Sequence, residues 1–397
     1  MRKENNSCLT RLIMARLGCE VSSRSLPTLQ SLLVAIVYSV VVVLGCVSVC
    51  CSQQCPTGCD CREASLYCNA RHLRDFPAAD KLPAGLTFAT FAQNNISTLE
   101  QAVFIQQVDI IELHLEQNHL TSLSSGHLVG LARLEKLFLQ ENFLSHLSTG
   151  TFSVVGSRLS VLSLKKNRLE LIDHSILSGL PVLEELDLSC QQAGPLRIQP
   201  SAFNGLTGLK KLLLGSNQIS AIPTPDFIIS NLNSIQELDL SDNAITSVGD
   251  GVFTGLRTLQ RLNLSGNSFS SLNEFSFSGL SNLIELSVSD TGISVIDSSV
   301  LGRLPALQKL EASNNLLSDV PEDGLKEVLL LQTLDLSWNN ISAVNATALQ
   351  LSVNLTTLNL TDNVITRINS LAFGNTTIQT FTLSCSLFSV CIFNRPE

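Results

Sequence analysis

In the stretch LQTLDLSWNNI, Leu331, Leu334, Leu336, Asn339 and Ile341 fall on the pattern L-x-x-L-x-L-x-x-N-x-L. The same spacing recurs upstream at Leu307, Leu310, Ala312, Asn315 and Leu317, and downstream at Leu355, Leu358, Leu360, Asn363 and Ile365. Corresponding residues lie 24 positions apart. A unit of that length cannot bury an apolar side by itself and must stack on its neighbours, so the period predicts a solenoid. Stacking also explains how 397 residues can form one elongated domain without outgrowing a single hydrophobic core.

Counted by the asparagine, the register holds at Asn94, Asn118, Asn142, Asn167, Gln191, Asn217, Asn243, Asn267, Thr291, Asn315, Asn339, Asn363 and Ser386, about thirteen repeats. Each opens with a short strand whose leucines point inward, and stacked strands make a parallel sheet. The buried Asn side chain is expected to serve backbone groups of the adjoining turn and to form a ladder from coil to coil. Leaving such groups unpaired costs about 1–3 kcal/mol each. Gln191, Thr291 and Ser386 are expected to break the ladder.

A second apolar column follows ten residues after the ladder position: Phe104, Phe152, Phe227, Phe253, Phe277 and Phe373, or Leu128, Leu177, Leu301, Leu325 and Leu349. The fixed interval predicts a spine that fills the interior rather than a ligand site. After Gln191 the corresponding Phe203 arrives two residues late, so the segment GPLRIQ should bulge outward. Cys190 beside it reads as an unpaired thiol.

Residues 1–31 form a basic flank with Arg2, Lys3, Arg11, Arg16 and Arg24, and an apolar run follows within 32–50. This is read as a signal peptide or an uncleaved signal anchor, either of which delivers the rest of the chain outside the cell. The anchor is the one expected membrane contact. The flank holds five of the 25 basic residues, so the exported body is more acidic than the chain's net charge of −9. That charge disfavours nucleic acid as a partner. Cys55, Cys59, Cys61 and Cys68 follow at once as C-x3-C-x-C-x6-C. In an oxidising compartment they read as two disulfides, and the C-x2-C knuckles of a zinc cluster are missing.

The CPTGCDC segment, Cys68 and the KLPAGL segment before the first strand resemble the amino-terminal cysteine cap of extracellular leucine-rich repeat proteins, the class of Slit, Toll ectodomains, chondroadherin and vasorin. The 24-residue repeats resemble that class's typical repeat. The resemblance implies an α/β fold: a leucine-rich repeat solenoid, a curved horseshoe with a parallel β-sheet on the concave face and an irregular or short-helical convex face. The cap would occupy 51–82 and the solenoid 83–388. Proteins of this class usually close with a four-cysteine carboxy-terminal cap, whereas LSCSLFSVCIFNRPE offers Cys385 and Cys391. Residues 389–397 are accordingly read as a truncated tail, and a partner or a second copy is expected to cover an uncapped last coil.

Two strand positions face outward. The third reads Glu112, Lys136, Val161, Glu185, Lys211, Glu237, Arg261, Glu285 and Lys309, and its alternating signs suggest side-by-side pairing between strands. The fifth position does not alternate. There, His114, Asp187, Asp239, Glu311 and Asp335 are candidate ligand contacts, with Phe138 and Leu213 expected as exposed apolar groups and Trp338 as a further anchor. The acidic members would favour a basic protein ligand or receptor.

Asn95, Asn263, Asn340, Asn345, Asn354, Asn359 and Asn375 each begin an N-x-Ser/Thr glycosylation sequon. Glycans at Asn263 and Asn359 would obstruct the carboxy-terminal half of the sheet face and direct a partner to coils two to seven. No nucleophile motif, phosphate loop or metal pattern occurs, and His114, His119 and His127 are not expected to converge. The expected function is non-enzymatic protein recognition outside the cell, with no cofactor. A matrix or adhesion glycoprotein and a non-catalytic subunit of a secreted complex are the alternatives.

Overall fold

The computed structural model describes residues 55–222, 232–374 and 376–384. The basic flank, the export segment, Phe227, Asn375 and the tail with Cys385, Ser386 and Cys391 lie outside the described residues. Among those described, no helix is long and apolar enough to cross a membrane.

The chain from Cys55 onward stacks as coils around one 15-stranded sheet. Asp60–Arg62 and Ser65–Tyr67 form an antiparallel hairpin, and every later strand from Phe88–Thr90 to Thr380–Thr382 adds in parallel and in register. The sheet thus contains thirteen repeat strands, in agreement with the sequence period. Each strand has three residues, and the middle one is always turned inward: Leu113 pairs with Leu137, Leu137 with Leu162, and so on down the stack. Leu331, Leu334, Leu336 and Ile341 are all buried, as are Ala312 and its register partners. The return segments hold only brief helical turns, among them His174–Leu177, Ser298–Leu301 and Glu322–Leu325. Asp173 and Asp297 cap the first two of these turns by accepting backbone N–H bonds.

Phe104, Phe152, Phe253 and Phe277 are fully buried, with Leu128, Leu177, Leu301, Leu325 and Leu349 in the same column, while Phe373 near the end is partly buried. Phe203 rejoins the column despite its delay. The extra length is absorbed at Gln192, Ala193 and Pro195, which are exposed, and Gly194 at φ +133° supplies a backbone turn that a side chain would resist. Leu196 and Ile198 then turn inward again, and Arg197–Ile198 pairs with Leu171–Ile172 on the outer wall.

The asparagine ladder is present and has a consistent form. Asn118 Oδ1 accepts from the Ile96 amide of the preceding coil, and its Nδ2 donates to Phe91 O of that coil and Leu115 O of its own. Gln191, expected to break the ladder, continues it: Oε1 accepts from Leu169 N, and Nε2 donates to Leu164 O and Leu188 O. The longer side chain carries the same amide to the same groups. Thr291 does shorten a rung, since its hydroxyl has one proton to give and lies within bonding distance of Val288 O and Asn315 Oδ1. Asn315 on the next coil completes its own rung at Ile293 N and Val288 O, and its Oδ1 also accepts from the amides of Thr291 and Gly292.

A backbone feature accompanies the ladder. The residue before each ladder position is left-handed, as at Gln117 (φ 56°), Glu141 (φ 57°), Asp242 (φ 51°) and Trp338 (φ 54°). That twist lets the next side chain turn inward, while the left-handed residue's own N–H reaches the following coil, as Trp338 N does to Thr361 O at 2.9 Å. Cys190 occupies the same position, half-buried and unpaired, with φ 61°.

The cap cysteines pair Cys55 with Cys61 and Cys59 with Cys68. Cys68 is fully buried and belongs to the same core as Leu66 and Phe91. The disulfides thereby join the hairpin to the first coil, and their presence suits an oxidising compartment.

Candidate protein-binding face

Side chains at the third and fifth strand positions stand on the outer side of the sheet, because the leucine between them points in. The alternating third column forms ion pairs along much of the stack. Lys136 lies 3.0 Å from Glu112, Lys211 lies 3.5 Å from Glu185 and 3.6 Å from Glu237, and Arg261 lies 3.0 Å from Glu237. Exposed pairs of this kind contribute about 0–1 kcal/mol each. Lys309 departs from the pattern by pairing with Glu311 of its own strand at 2.7 Å, which holds its ammonium charged.

The fifth column proves to have a backbone role. Asp187 Oδ1 accepts from Ser189 N at 3.0 Å, and Asp239, Asn263, Asp335 and Asn359 each accept in the same way from the amide two residues on. A short polar side chain that bonds its own backbone two residues later suits a strand end, which accounts for the Asp/Asn content of this column. Asp335 also receives Asn359 Nδ2 on its second oxygen. These carboxylates are therefore partly occupied, and Glu311 is matched by Lys309. Exposed Asp242, Asp290 and Asp362 add negative charge alongside.

The candidate residues do not converge on one point. Nine strand spacings of about 4.8 Å separate His114 from Asp335, roughly 43 Å in all. His114 and Phe138 lie together near the amino-terminal end, Asp187, Leu213 and Asp239 in the middle, and Glu311, Asp335 and Trp338 toward the other end. Phe138 and Leu213 are half-buried rather than freely exposed. Phe138 loses its exposure by stacking on His114, with ring centroids 4.5 Å apart.

His114 sits at the centre of a cluster. Its Nε2 contacts Glu112 at 2.8 Å and its Nδ1 contacts Glu116 at 3.0 Å. Burial pulls the imidazole pKa down, but bonds to the Glu116 and Glu112 carboxylates outweigh it and leave the pKa raised. Burial likewise pushes the Glu112 carboxyl up, and the bonds from His114 and Lys136 more than offset this. The aromatic contacts continue into the cap: Phe88 lies 5.3 Å from His114 and Tyr67 lies 5.4 Å from Phe88. Tyr67, Phe88, His114 and Phe138 therefore form a continuous row. Tyr67 and Phe88 were missed because the sequence columns were begun at Glu112. Carrying the 24-residue register back one coil finds Phe88 opposite Glu112, but nothing in the period marks Tyr67.

His119 and His127 stand apart from this row. His119 stacks on Phe143, which also carries the Arg168 guanidinium 4.3 Å above its ring, and His127 bonds Gln101 on the outer wall. Among the described residues no group of acidic, Cys and His side chains is arranged to hold a metal ion. Of the sequons, Asn95, Asn340, Asn345 and Asn354 are exposed, whereas Asn263 and Asn359 are half-buried in strand positions.

A solenoid of short parallel strands with a buried amide ladder and a disulfide-bonded cap defines the class of protein. The leucine rich repeat pattern matches residues 91–143, 132–192, 233–293, 257–317 and 281–341, more than half of the chain, and a second leucine rich repeat pattern matches 352–366. The chain belongs to the leucine rich repeat family. Tsukushi-A of Xenopus laevis is 41% identical over 97 residues, a span that is 24% of this chain and 26% of that protein. The match thus covers about a quarter of the relative's length. Two solved structures share the fold. A leucine-rich repeat protein of Leptospira interrogans has a TM-score of 0.59 at 22% identity, covering 80% of this chain and 90% of that one. An internalin of Listeria monocytogenes has a TM-score of 0.59 at 20% identity, covering 75% and 81%.

Proposed function

We propose that this protein is a non-enzymatic recognition module that works outside the cell and binds a protein ligand or receptor on the sheet face of its amino-terminal coils. The observation that carries this reading is the row Tyr67, Phe88, His114 and Phe138. The interior is already filled by the leucine columns, so aromatic rings on the outer side of the sheet are not needed for the fold. Rigid aromatic groups that combine apolar area with polar edges are the usual anchors of protein interfaces. Asp187 and Asp239 keep one carboxylate oxygen free of the backbone bond, and with exposed Asp242 they favour a partner with basic side chains. The cap disulfides and the apolar run at 32–50 support an extracellular setting.

The test is a binding screen of the full chain against purified receptor ectodomains and secreted proteins. The partner found is then titrated with the Phe138→Ala/Asp239→Ala double variant. Loss of about 2 kcal/mol of binding, close to thirtyfold in Kd, in a variant that circular dichroism shows still folded is the expected result. A partner that binds the double variant as tightly as the parent chain would remove the proposal.

A further inference from the structure

Trp338 is 62% exposed and left-handed, an unusual combination for the largest side chain. Its surroundings are equally unusual. Leu316 is 55% exposed and Val364 is 50% exposed. They stand one residue past the ladder residues Asn315 and Asn363, and Asn340 holds the equivalent position on the coil between them. Asn340 N donates to Leu317 O and Val364 N to Ile341 O, which fixes these three residues in one column. Asn339 is buried between Trp338 and Asn340, so the indole and the Asn340 amide both turn outward. Two residues of chain span at most about 7 Å. Asn340-Ile341-Ser342 is a sequon.

We propose that Asn340 is N-glycosylated and that the first N-acetylglucosamine lies against the Trp338 indole, covering the patch that Leu316 and Val364 flank. In the attachment step Asn340 Nδ2 displaces a polyprenyl diphosphate from C1 of the sugar. The N–C1 bond forms, the C1–O bond breaks, the diphosphate leaves with the electron pair and the amide gives up a proton. The pyranose face carries C–H groups that pack on the electron-rich face of an indole, and Asn340, exposed two residues from the exposed Trp338, brings the attachment atom within reach of it. An apolar patch on three adjacent coils is thereby covered by the chain itself. The inference is independent of the partner proposed for the amino-terminal coils.

Trp338 is the chain's one tryptophan, so its fluorescence reads this site directly. The full chain is made in a eukaryotic host under a mannosidase inhibitor and compared in three forms: untreated, trimmed by an endoglycosidase to one N-acetylglucosamine per site, and Ser342→Ala. Mass spectrometry should find Asn340 occupied in the first two. Covering one indole face should lower acrylamide quenching about twofold relative to Ser342→Ala, equally in the untreated and trimmed forms. Asn340→Gln should reproduce Ser342→Ala, and Asn354→Gln should leave quenching at the untreated level. An unmodified Asn340, equal quenching in all forms, or protection lost on trimming would each overturn the proposal.

Discussion

Replacing Asn315 by alanine tests the ladder where it carries the most. The side chain is buried, and Asn315 Oδ1 accepts from Thr291 N at 3.1 Å, Gly292 N at 2.9 Å and Ile293 N at 3.0 Å. Its Nδ2 donates to Val288 O at 2.8 Å. Asn315→Ala strands the buried amides of Thr291 and Ile293, while Val288 O keeps the Thr291 hydroxyl. At about 1–3 kcal/mol for each such group, less some relaxation, the loss should be about 2–4 kcal/mol. Asn118→Ala serves as the comparison: it strands Ile96 N of the preceding coil, while Phe91 O keeps Asn94 Nδ2, and should cost about 1–2 kcal/mol. Urea unfolding followed by circular dichroism gives both values. Hydrogen exchange should show the Asn315→Ala defect as faster exchange at Thr291, Gly292 and Ile293, since each coil contacts only its neighbours. A loss below about 1 kcal/mol, or a larger loss for Asn118→Ala, would refute the idea that a rung's worth follows the number of buried amides its side chain satisfies.

Two further outcomes follow from particular contacts. The His114 pKa is raised above its ordinary value of 6.5 by Glu116 and Glu112. Its stabilising contribution is therefore complete below pH 6.5 and fades as pH rises through the folded-state pKa; thermal unfolding across that window should slope downward in the parent chain and flatten in His114→Gln. Gln107 is buried with both amide atoms unpaired in the structure, so Gln107→Met should raise stability by about 1–2 kcal/mol in urea titration, and a loss would show that the amide is satisfied in solution.

The repeat period alone determined the solenoid, the number of strands, the inward leucines and the buried Phe/Leu column. Residues at a fixed interval must occupy equivalent places once coils stack, so identity at one coil transfers to the next. The cap was legible for the same local reason, four closely spaced cysteines ahead of the first strand, although their pairing was not. The tertiary structure decided what each outward side chain does. Gln191 was expected to interrupt the ladder and continues it, because the amide group matters more than the length of the chain that carries it. Asp187, Asp239 and Asp335 looked like free charges and turn one oxygen onto their own backbone. Phe138 was expected to be exposed and instead stacks on His114, in a row that reaches Tyr67 in the cap. Periodicity records which wall a residue belongs to, whereas hydrogen-bond partners and ring contacts depend on side-chain direction across coils, and that exists only once the coils are stacked.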